Sequence, residues 1–225
     1  MRPILRTVCA ITVLLLAPAI PARGQGTQPA KTPSSIGLHA YGVVDFDALA
    51  ASESFDAVVG TSRLTAFGGG VDVVDIWKHL FVRVAVTRTR QSGSRVFVAD
   101  NKEVSPLNLP LTVTMTPVEV GAGWRFVSSK GGLVTPYAGV SFLSMGYTET
   151  SKGADPGEDT NARFGGQDVF AGVEVGIVKW LVAAGEVQYR RVPNALGAGG
   201  VSKDFGESDL GGVTARVTIG IRTKR

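Results

Sequence analysis

The sequence predicts an all-β fold, an eight-stranded antiparallel up-and-down barrel, and three observations predict it. Apolar and polar residues alternate with a period of two along about eight segments. The connections between these segments alternate between short and long, as they do when every second connection lies at the same rim of a barrel. Glycine, at 29 of 225 residues, is unusually frequent and lacks the collagen repeat, which is typical of bends and crowded interiors within strands.

The rhythm of the connections predicts which rim each one occupies. Short links follow Trp77, Phe126 and Ile177. The four long connections span residues 51–63, 91–109, 149–163 and 194–207. Because the first and last connections are both long, both ends of the barrel chain are expected at the short-turn rim.

The amino terminus, residues 1–24, is predicted to be a cleaved signal peptide. Arg2 and Arg6 precede an apolar stretch over residues 8–17, which is shorter than the about 20 residues that a membrane helix needs. Residues 25–35 are expected to form a flexible segment, and residues 36–225 the barrel domain.

Loss of this leader changes how the charge of the chain is interpreted. It would remove the single cysteine, Cys9, so that no disulfide could form, and would lower the formal charge from +4 to +1. A basic patch for nucleic acid is not visible in the remainder, so no nucleic-acid partner is expected.

Most segments have one apolar and one polar face, because side chains alternate across a strand. The apolar faces are, from the first segment to the last, Leu38, Ala40, Val44 and Phe46; Val82, Val84 and Val86; Val169, Ala171, Val173, Val175 and Ile177; Leu181, Ala183, Gly185, Val187 and Tyr189; and Val213, Ala215, Val217, Ile219 and Ile221. The opposite faces mix glycine and threonine with single charges of both signs.

The fourth and fifth segments are less regular. Apolar residues are odd-numbered around Leu111–Met115 but even-numbered from Val118 to Phe126. Pro117 lies at the change, where a β-bulge would shift the register by one residue. The fifth segment, residues 134–147, shows no clean alternation.

The composition of the polar faces favours a barrel that spans a membrane. In a soluble lipocalin-like carrier the polar face would meet water, and would be richer in lysine and glutamate; here glycines leave room for single long side chains in an enclosed interior. An interfacial aromatic belt is predicted beside the three short turns, formed by Trp77, Phe81, Trp124, Phe126 and Trp180. Phe46, Tyr147 and Tyr189 are candidates for a second girdle at the other rim.

From residue 36 to residue 222 the chain resembles small bacterial outer-membrane barrels of the OmpA/OmpX/OmpW type. The leader, the loop rhythm and alternating strands such as residues 170–176 carry the resemblance. It implies an outer-membrane protein, exported by a cleaved signal peptide, with a side-chain-filled interior and variable surface loops. Its implied partners are outer-membrane lipids and the outer-membrane assembly machinery, and a monomer is expected.

Six charged residues share the predicted inward face and are expected to form a network that plugs the barrel: Arg83, Glu119, Arg125, Glu174, Glu186 and Arg216. Charges taken out of water need partners, and eight strands enclose room only for side chains or one small ligand. A selective pore is the alternative.

No catalytic motif is visible, so a non-enzymatic structural or surface-interaction role through the long loops is predicted, without cofactor or metal. The acidic loop over residues 155–161 lacks the spacing of a calcium-binding EF-hand. Two alternatives remain: a periplasmic lipocalin-like carrier, and an outer-membrane lipid-modifying enzyme that would use His39 with Ser141 or Ser144.

Overall fold

Eight antiparallel strands close into a barrel in the computed structural model, which describes residues 36–99, 103–127, 133–152, 159–195 and 205–223. The elements are β1 (Gly37–Leu49), α1 (Ser52–Val59), β2 (Arg63–Val74), β3 (Leu80–Val98), β4 (Val104–Arg125), β5 (Val134–Ser151), β6 (Thr160–Gly176), β7 (Leu181–Arg191) and β8 (Gly212–Arg222). Each strand pairs with its sequence neighbour, and β1 pairs with β8. The predicted fold class is confirmed. The predicted signal peptide and flexible segment, residues 1–35, lie outside the described residues, as does most of the acidic loop over 155–161.

Closure gives every strand a hydrogen-bonded neighbour on both sides. Val44 of β1, for example, is paired with Phe67 of β2 and with Val217 of β8. A closed sheet leaves no edge whose backbone groups lack partners. Among the described residues, no helix is long and apolar enough to cross a membrane.

Inward-facing glycines make room for the large side chains of the interior. A Cβ atom added to Gly70 would lie 2.6 Å from the hydroxyl oxygen of Tyr41, and one added to Gly172 would lie 2.6 Å from that of Tyr137. These distances are far below van der Waals contact, so the close approach of each tyrosine requires glycine. The high glycine content therefore follows in part from the narrow interior.

One of the predicted long connections, residues 91–109, is largely strand, because β3 continues to Val98 and β4 begins at Val104. In the next one, residues 149–163, β5 extends to Ser151 and β6 begins at Thr160. A third, residues 51–63, contains helix α1. The sequence did not predict these strand ends because the outward residues there are polar, so the alternation of apolar and polar residues stops before the strands do.

The predicted bulge at Pro117 is wrong. β4 pairs with β5 in unbroken register from Leu111 to Arg125, with Pro117 opposite Met145. Odd-numbered residues face inward throughout this stretch. The apolar residues change parity because the interior itself is apolar near the long-loop rim. The register irregularity of β4 lies instead opposite Ser94 and Val96 of β3.

Candidate functional site

The barrel interior is filled by successive layers of side chains, of which the central one is ionic. The guanidinium of Arg216, whose side chain is fully buried, donates to Asp45 Oδ1 from Nε at 2.7 Å and to Glu119 Oε2 from Nη1 at 2.8 Å. Arg190 adds contacts from Nη2 to Glu119 Oε1 at 2.6 Å and from Nη1 to Asp47 Oδ1 at 3.0 Å. We call these five residues the ionic layer.

The layer is assembled by four strands that place one or two charges each on the inner face. Asp45 and Asp47 are successive inward-facing residues of β1, whereas Glu119, Arg190 and Arg216 lie on β4, β7 and β8, respectively. Each carboxylate of the layer contacts at least one guanidinium, as buried charge requires.

Towards the short-turn rim, Arg83 is held by acids and surrounded by aromatic rings. Its Nε lies 3.0 Å from Asp72 Oδ1, and its Nη1 lies 2.6 Å from Glu186 Oε2. Four ring centroids lie between 4.9 and 5.7 Å from its Cζ, those of Tyr41, Phe81, Tyr137 and Phe170. Cation–π attraction of this kind strengthens when the cation is desolvated, so these rings hold the guanidinium in place.

At the short-turn rim itself lies a separate charged cluster. Arg125 Nη2 donates to Glu174 Oε1 at 2.7 Å, and His39 Nδ1 lies 3.3 Å from Glu174 Oε2. Arg222, at the end of β8, lies 3.5 Å from the same carboxylate.

Near the long-loop rim the interior becomes apolar and is covered by helix α1. Phe55 and Val58 of the helix are buried against inward side chains of β4 and β5, among them Met115, Leu143 and Tyr147. We call this cluster the upper core. Burial of this apolar surface stabilises the helix at the barrel mouth.

The amino terminus of α1 is capped from a distant loop. Glu207 accepts hydrogen bonds from the backbone N–H groups of Glu53 and Ser54, both at 3.0 Å, and from the Ser54 hydroxyl. A carboxylate is favourable there because the first N–H groups of a helix have no partner within it. The helix ends at Gly60, whose positive φ of 81° suits glycine.

Two small cavities lie between the layers, one of about 30 Å³ beside Arg83 and one of about 10 Å³ beneath the upper core. Among the described residues, four buried polar atoms lack a hydrogen-bond partner: Thr87 Oγ1, Asp168 Oδ2, Gln188 Oε1 and Arg190 Nε. No group of three or more potential ligands in these segments is arranged to hold a metal ion.

The six charged residues predicted from the sequence all lie inside the barrel, but in three groups. Glu119 and Arg216 belong to the ionic layer, Arg83 and Glu186 pair with each other nearer the short-turn rim, and Arg125 and Glu174 form part of the rim cluster. Sequence reasoning left out Asp45, Asp47, Asp72 and Arg190. Three of them fall on the polar faces of the first and seventh segments, so the sequence already placed them inside the barrel. It could not show which residues they contact.

The predicted aromatic belt needs one correction. Trp77, Phe126 and Trp180 are exposed on the outside near the short turns, and Trp124 packs edge-on against Trp77 with ring centroids 6.2 Å apart. Phe81, by contrast, is only 2% exposed and lies inside against Arg83. Its odd number gives it the inward face of β3.

The second girdle is corrected in the same way. Tyr147 is buried in the upper core, whereas Phe46 and Tyr189 project outward. Phe67, a further outward aromatic residue, was not predicted for this girdle.

The residues considered for a hydrolase are not brought together. The Ser141 hydroxyl donates to Asp168, His39 contacts Glu174, and Ser144 lies on the outer face of β5. Within the described segments, no serine hydroxyl is hydrogen-bonded to His39. The arrangement therefore supplies no activated serine.

Comparisons with known proteins indicate the fold only. No family model and no curated protein matches the chain. Among solved structures it is similar to Neisserial surface protein A, at 12% identity and a TM-score of 0.45, covering 84% of this chain and 97% of the other. It is also similar to the N-terminal β-barrel domain of Pseudomonas aeruginosa OprF, at 11% identity and a TM-score of 0.46, covering 83% and 96%.

A third similar structure is Ail, the attachment invasion locus protein of Yersinia pestis, at 14% identity and a TM-score of 0.42, covering 83% of this chain and 95% of the other. The closed eight-stranded barrel of the chain itself is the fold that the resemblance predicted. The function has to be inferred from the barrel's own residues.

Proposed function

We propose that this chain is an integral, non-enzymatic protein of the bacterial outer membrane whose barrel is closed to solutes and which acts as a structural element or through its long-loop rim. The observation that carries the proposal is an apolar belt on the outside of all eight strands. The exposed members of this belt are Leu38, Phe46, Phe67, Val71, Val82, Val84, Val86, Val118, Val120, Val140, Phe142, Val169, Val173, Val175, Val187, Tyr189, Val213, Val217, Ile219 and Ile221.

The height of this belt fits a bilayer. On β8, outward residues run from Val213 to Ile221, which corresponds to about 26 Å along the strand. With the strand tilt of about 40° usual in such barrels, the belt is about 20 Å high, close to the apolar band of roughly 25 Å in outer-membrane proteins. Exposed Trp77 and Trp180 mark its lower edge, as interfacial aromatic residues do.

The same belt argues against a soluble lipocalin-like carrier. Such a carrier would enclose an apolar cavity and expose polar side chains, whereas here the central interior is ionic and the outside apolar. The ionic layer together with the upper core and α1 supports a closed barrel rather than a selective pore. The separation of Ser141 from His39 supports a role without catalysis.

We also propose that the leader is cleaved on export, that the outer-membrane assembly machinery inserts the barrel, and that the protein works as a monomer. A closed sheet has no edge strand with which a second copy could pair, which supports the last point.

Site-directed labelling tests the membrane assignment. Single cysteines at 213, 215, 217 and 219 would carry a fluorophore on the outer face of β8, and cysteines at 214 and 218 serve as inward controls. After reconstitution into vesicles, lipid-borne quenchers should quench the first set and spare the second. If no position responds to these quenchers, the chain is not a membrane barrel.

A further inference from the structure

Acidic residues of the strands occupy only the inner face of the barrel, whereas the charged residues on the outer face are basic. Every carboxylate of the described strands is buried inside the barrel: Asp45, Asp47, Asp72, Glu119, Glu149, Asp168, Glu174 and Glu186. The strand charges exposed on the outer face beyond the apolar belt are arginines, namely Arg63, Arg88, Arg90, Arg163 and Arg191. The outer wall near the long-loop rim is therefore cationic.

Three of these arginines form one patch on β2 and β3, which we call the arginine patch. Arg88 is paired across the strands with Phe67, an exposed residue of the apolar belt. Arg90 follows two positions later on the same face, so its Cα lies about 7 Å from that of Arg88. Arg63 lies on β2, four positions before Phe67 and on the same outward face, so its Cα is about 13 Å from that of Phe67 towards the long-loop rim.

The patch begins directly where the apolar belt ends. On β3 the outward residues run Val82, Val84 and Val86 and then change to Arg88 and Arg90. In a membrane-spanning barrel this change places the guanidinium groups at the level of the lipid headgroups on the long-loop side, while the aliphatic parts of their side chains extend along the belt.

The arginine patch has no acidic partner among the described residues. Arg63, Arg88 and Arg90 make no ion pair with any residue of the described segments, and the neighbouring outward position across from Arg90 is Thr114, a hydroxyl. Arg191, on the other side of the barrel, differs in lying 3.9 Å from Asp209. A guanidinium offers several N–H donors in a planar array that matches phosphate oxygens.

We propose that the arginine patch binds a phosphorylated glycolipid of the outer leaflet, through the phosphate groups on its sugar headgroup, with the acyl chains lying against the belt at Phe67 and Val86. Two arginines about 7 Å apart on one strand, with a third on the next, suit a headgroup carrying more than one phosphate better than a phospholipid with one. The inference rests on the proposed membrane location.

Binding of diphosphoryl lipid A to the detergent-purified full chain tests the inference. A fluorescent diphosphoryl lipid A would be titrated against wild type, R88Q/R90Q and K78Q/K179Q, with monophosphoryl lipid A and phosphatidylglycerol as competitors. The control pair, Lys78 and Lys179, loses the same charge from exposed positions at the short turns. Folding of each variant is checked by the shift in gel mobility between unboiled and boiled samples.

We expect R88Q/R90Q to bind about ten- to thirtyfold more weakly than wild type, because each cation near a lipid headgroup contributes on the order of 1 kcal/mol. K78Q/K179Q should bind as wild type does. R88K/R90K should bind more weakly than wild type but more tightly than R88Q/R90Q, because it keeps both charges and loses the planar donor array. Diphosphoryl lipid A should compete better than either other lipid.

Equal binding by wild type and R88Q/R90Q, or an equal loss in K78Q/K179Q, would overturn the inference, as would equal competition by phosphatidylglycerol. These outcomes do not contradict the proposed function, because the quenching of labels on β8 measures membrane insertion independently of the arginine patch. Absence of that quenching would instead contradict the proposed function.

Discussion

Arg216 shows how single residues make this interior possible. Its side chain is fully buried, and its cost of desolvation is large. Asp45 and Glu119 offset that cost because they meet the guanidinium along two of its edges with four hydrogen bonds. The pairing is mutual, so loss of the arginine would leave both carboxylates buried with Arg190 as their remaining cation.

We therefore expect Arg216→Gln to lower the free energy of unfolding by ~3–5 kcal/mol, the cost typical of breaking a buried charge pair. Urea titration of the folded protein in detergent micelles, followed by tryptophan fluorescence, measures the change. The matched control is Arg191→Gln, whose side chain is 64% exposed and lies 3.9 Å from Asp209; it should stay within about 0.5 kcal/mol of wild type. Equal unfolding midpoints for the two variants would show that the ionic layer is hydrated.

At the scale of elements, helix α1 is too short to be stable alone. Isolated helices of fewer than about 12 residues are marginal in water, and α1 covers only Ser52–Val59. Two contacts stabilise it: the burial of Phe55 and Val58 in the upper core, and the cap from Glu207 at its first N–H groups. The loop that supplies Glu207 thus helps to hold the helix at the barrel mouth.

Glu207→Gln should destabilise the start of the helix by about 1 kcal/mol, because the amide keeps only one acceptor oxygen for the three donors. Hydrogen exchange should then become faster at the backbone amides of Glu53 and Ser54. Asp56→Asn, which removes an exposed carboxylate from the same helix, provides the comparison and should leave these rates unchanged. Unchanged rates in Glu207→Gln would mean that the cap does not hold the helix in solution.

At the scale of the molecule, the barrel reverses its polarity along its axis. Around the centre the outside is apolar and the inside ionic, whereas near the long-loop rim Leu111, Val113 and Met115 point inward and threonines point outward. In the proposed membrane location, the wall near this rim lies in water and can be polar, and its interior can then be an ordinary apolar core. Two different kinds of packing therefore lie inside the same barrel.

In the proposed closed barrel, the ionic layer and the upper core lie at different heights, so a loss of packing in one of them should not open a pore. We expect neither wild type nor Phe55→Ala to conduct ions in planar bilayers, although Phe55→Ala should lose ~3–5 kcal/mol of stability through the cavity it creates. A conducting porin reconstituted in the same way serves as the positive control. Reproducible single-channel steps from wild type would contradict a closed barrel.

The strand number, the direction of pairing and the face of most residues could be predicted from the sequence, because side-chain alternation is a local property of a strand. Val217 and Arg216 could be assigned to opposite faces in this way, and the inward charges could be recognised as a set. The predicted signal peptide at residues 1–24 stays a prediction.

What only the tertiary structure decided is the height of each residue in the barrel and the identity of its partner. Phe81 and Tyr147 were placed in aromatic girdles because both lie beside predicted connections, yet both are buried inside. The apolar residues of β4 change from odd to even numbers at Pro117, which indicated a bulge. The strand is regular there, and the change arises because the interior is ionic on one side of Pro117 and apolar on the other. Asp45 meets Arg216 across 171 residues of sequence. Alternation acts between neighbours along the chain, but such contacts depend on the register and closure of all eight strands.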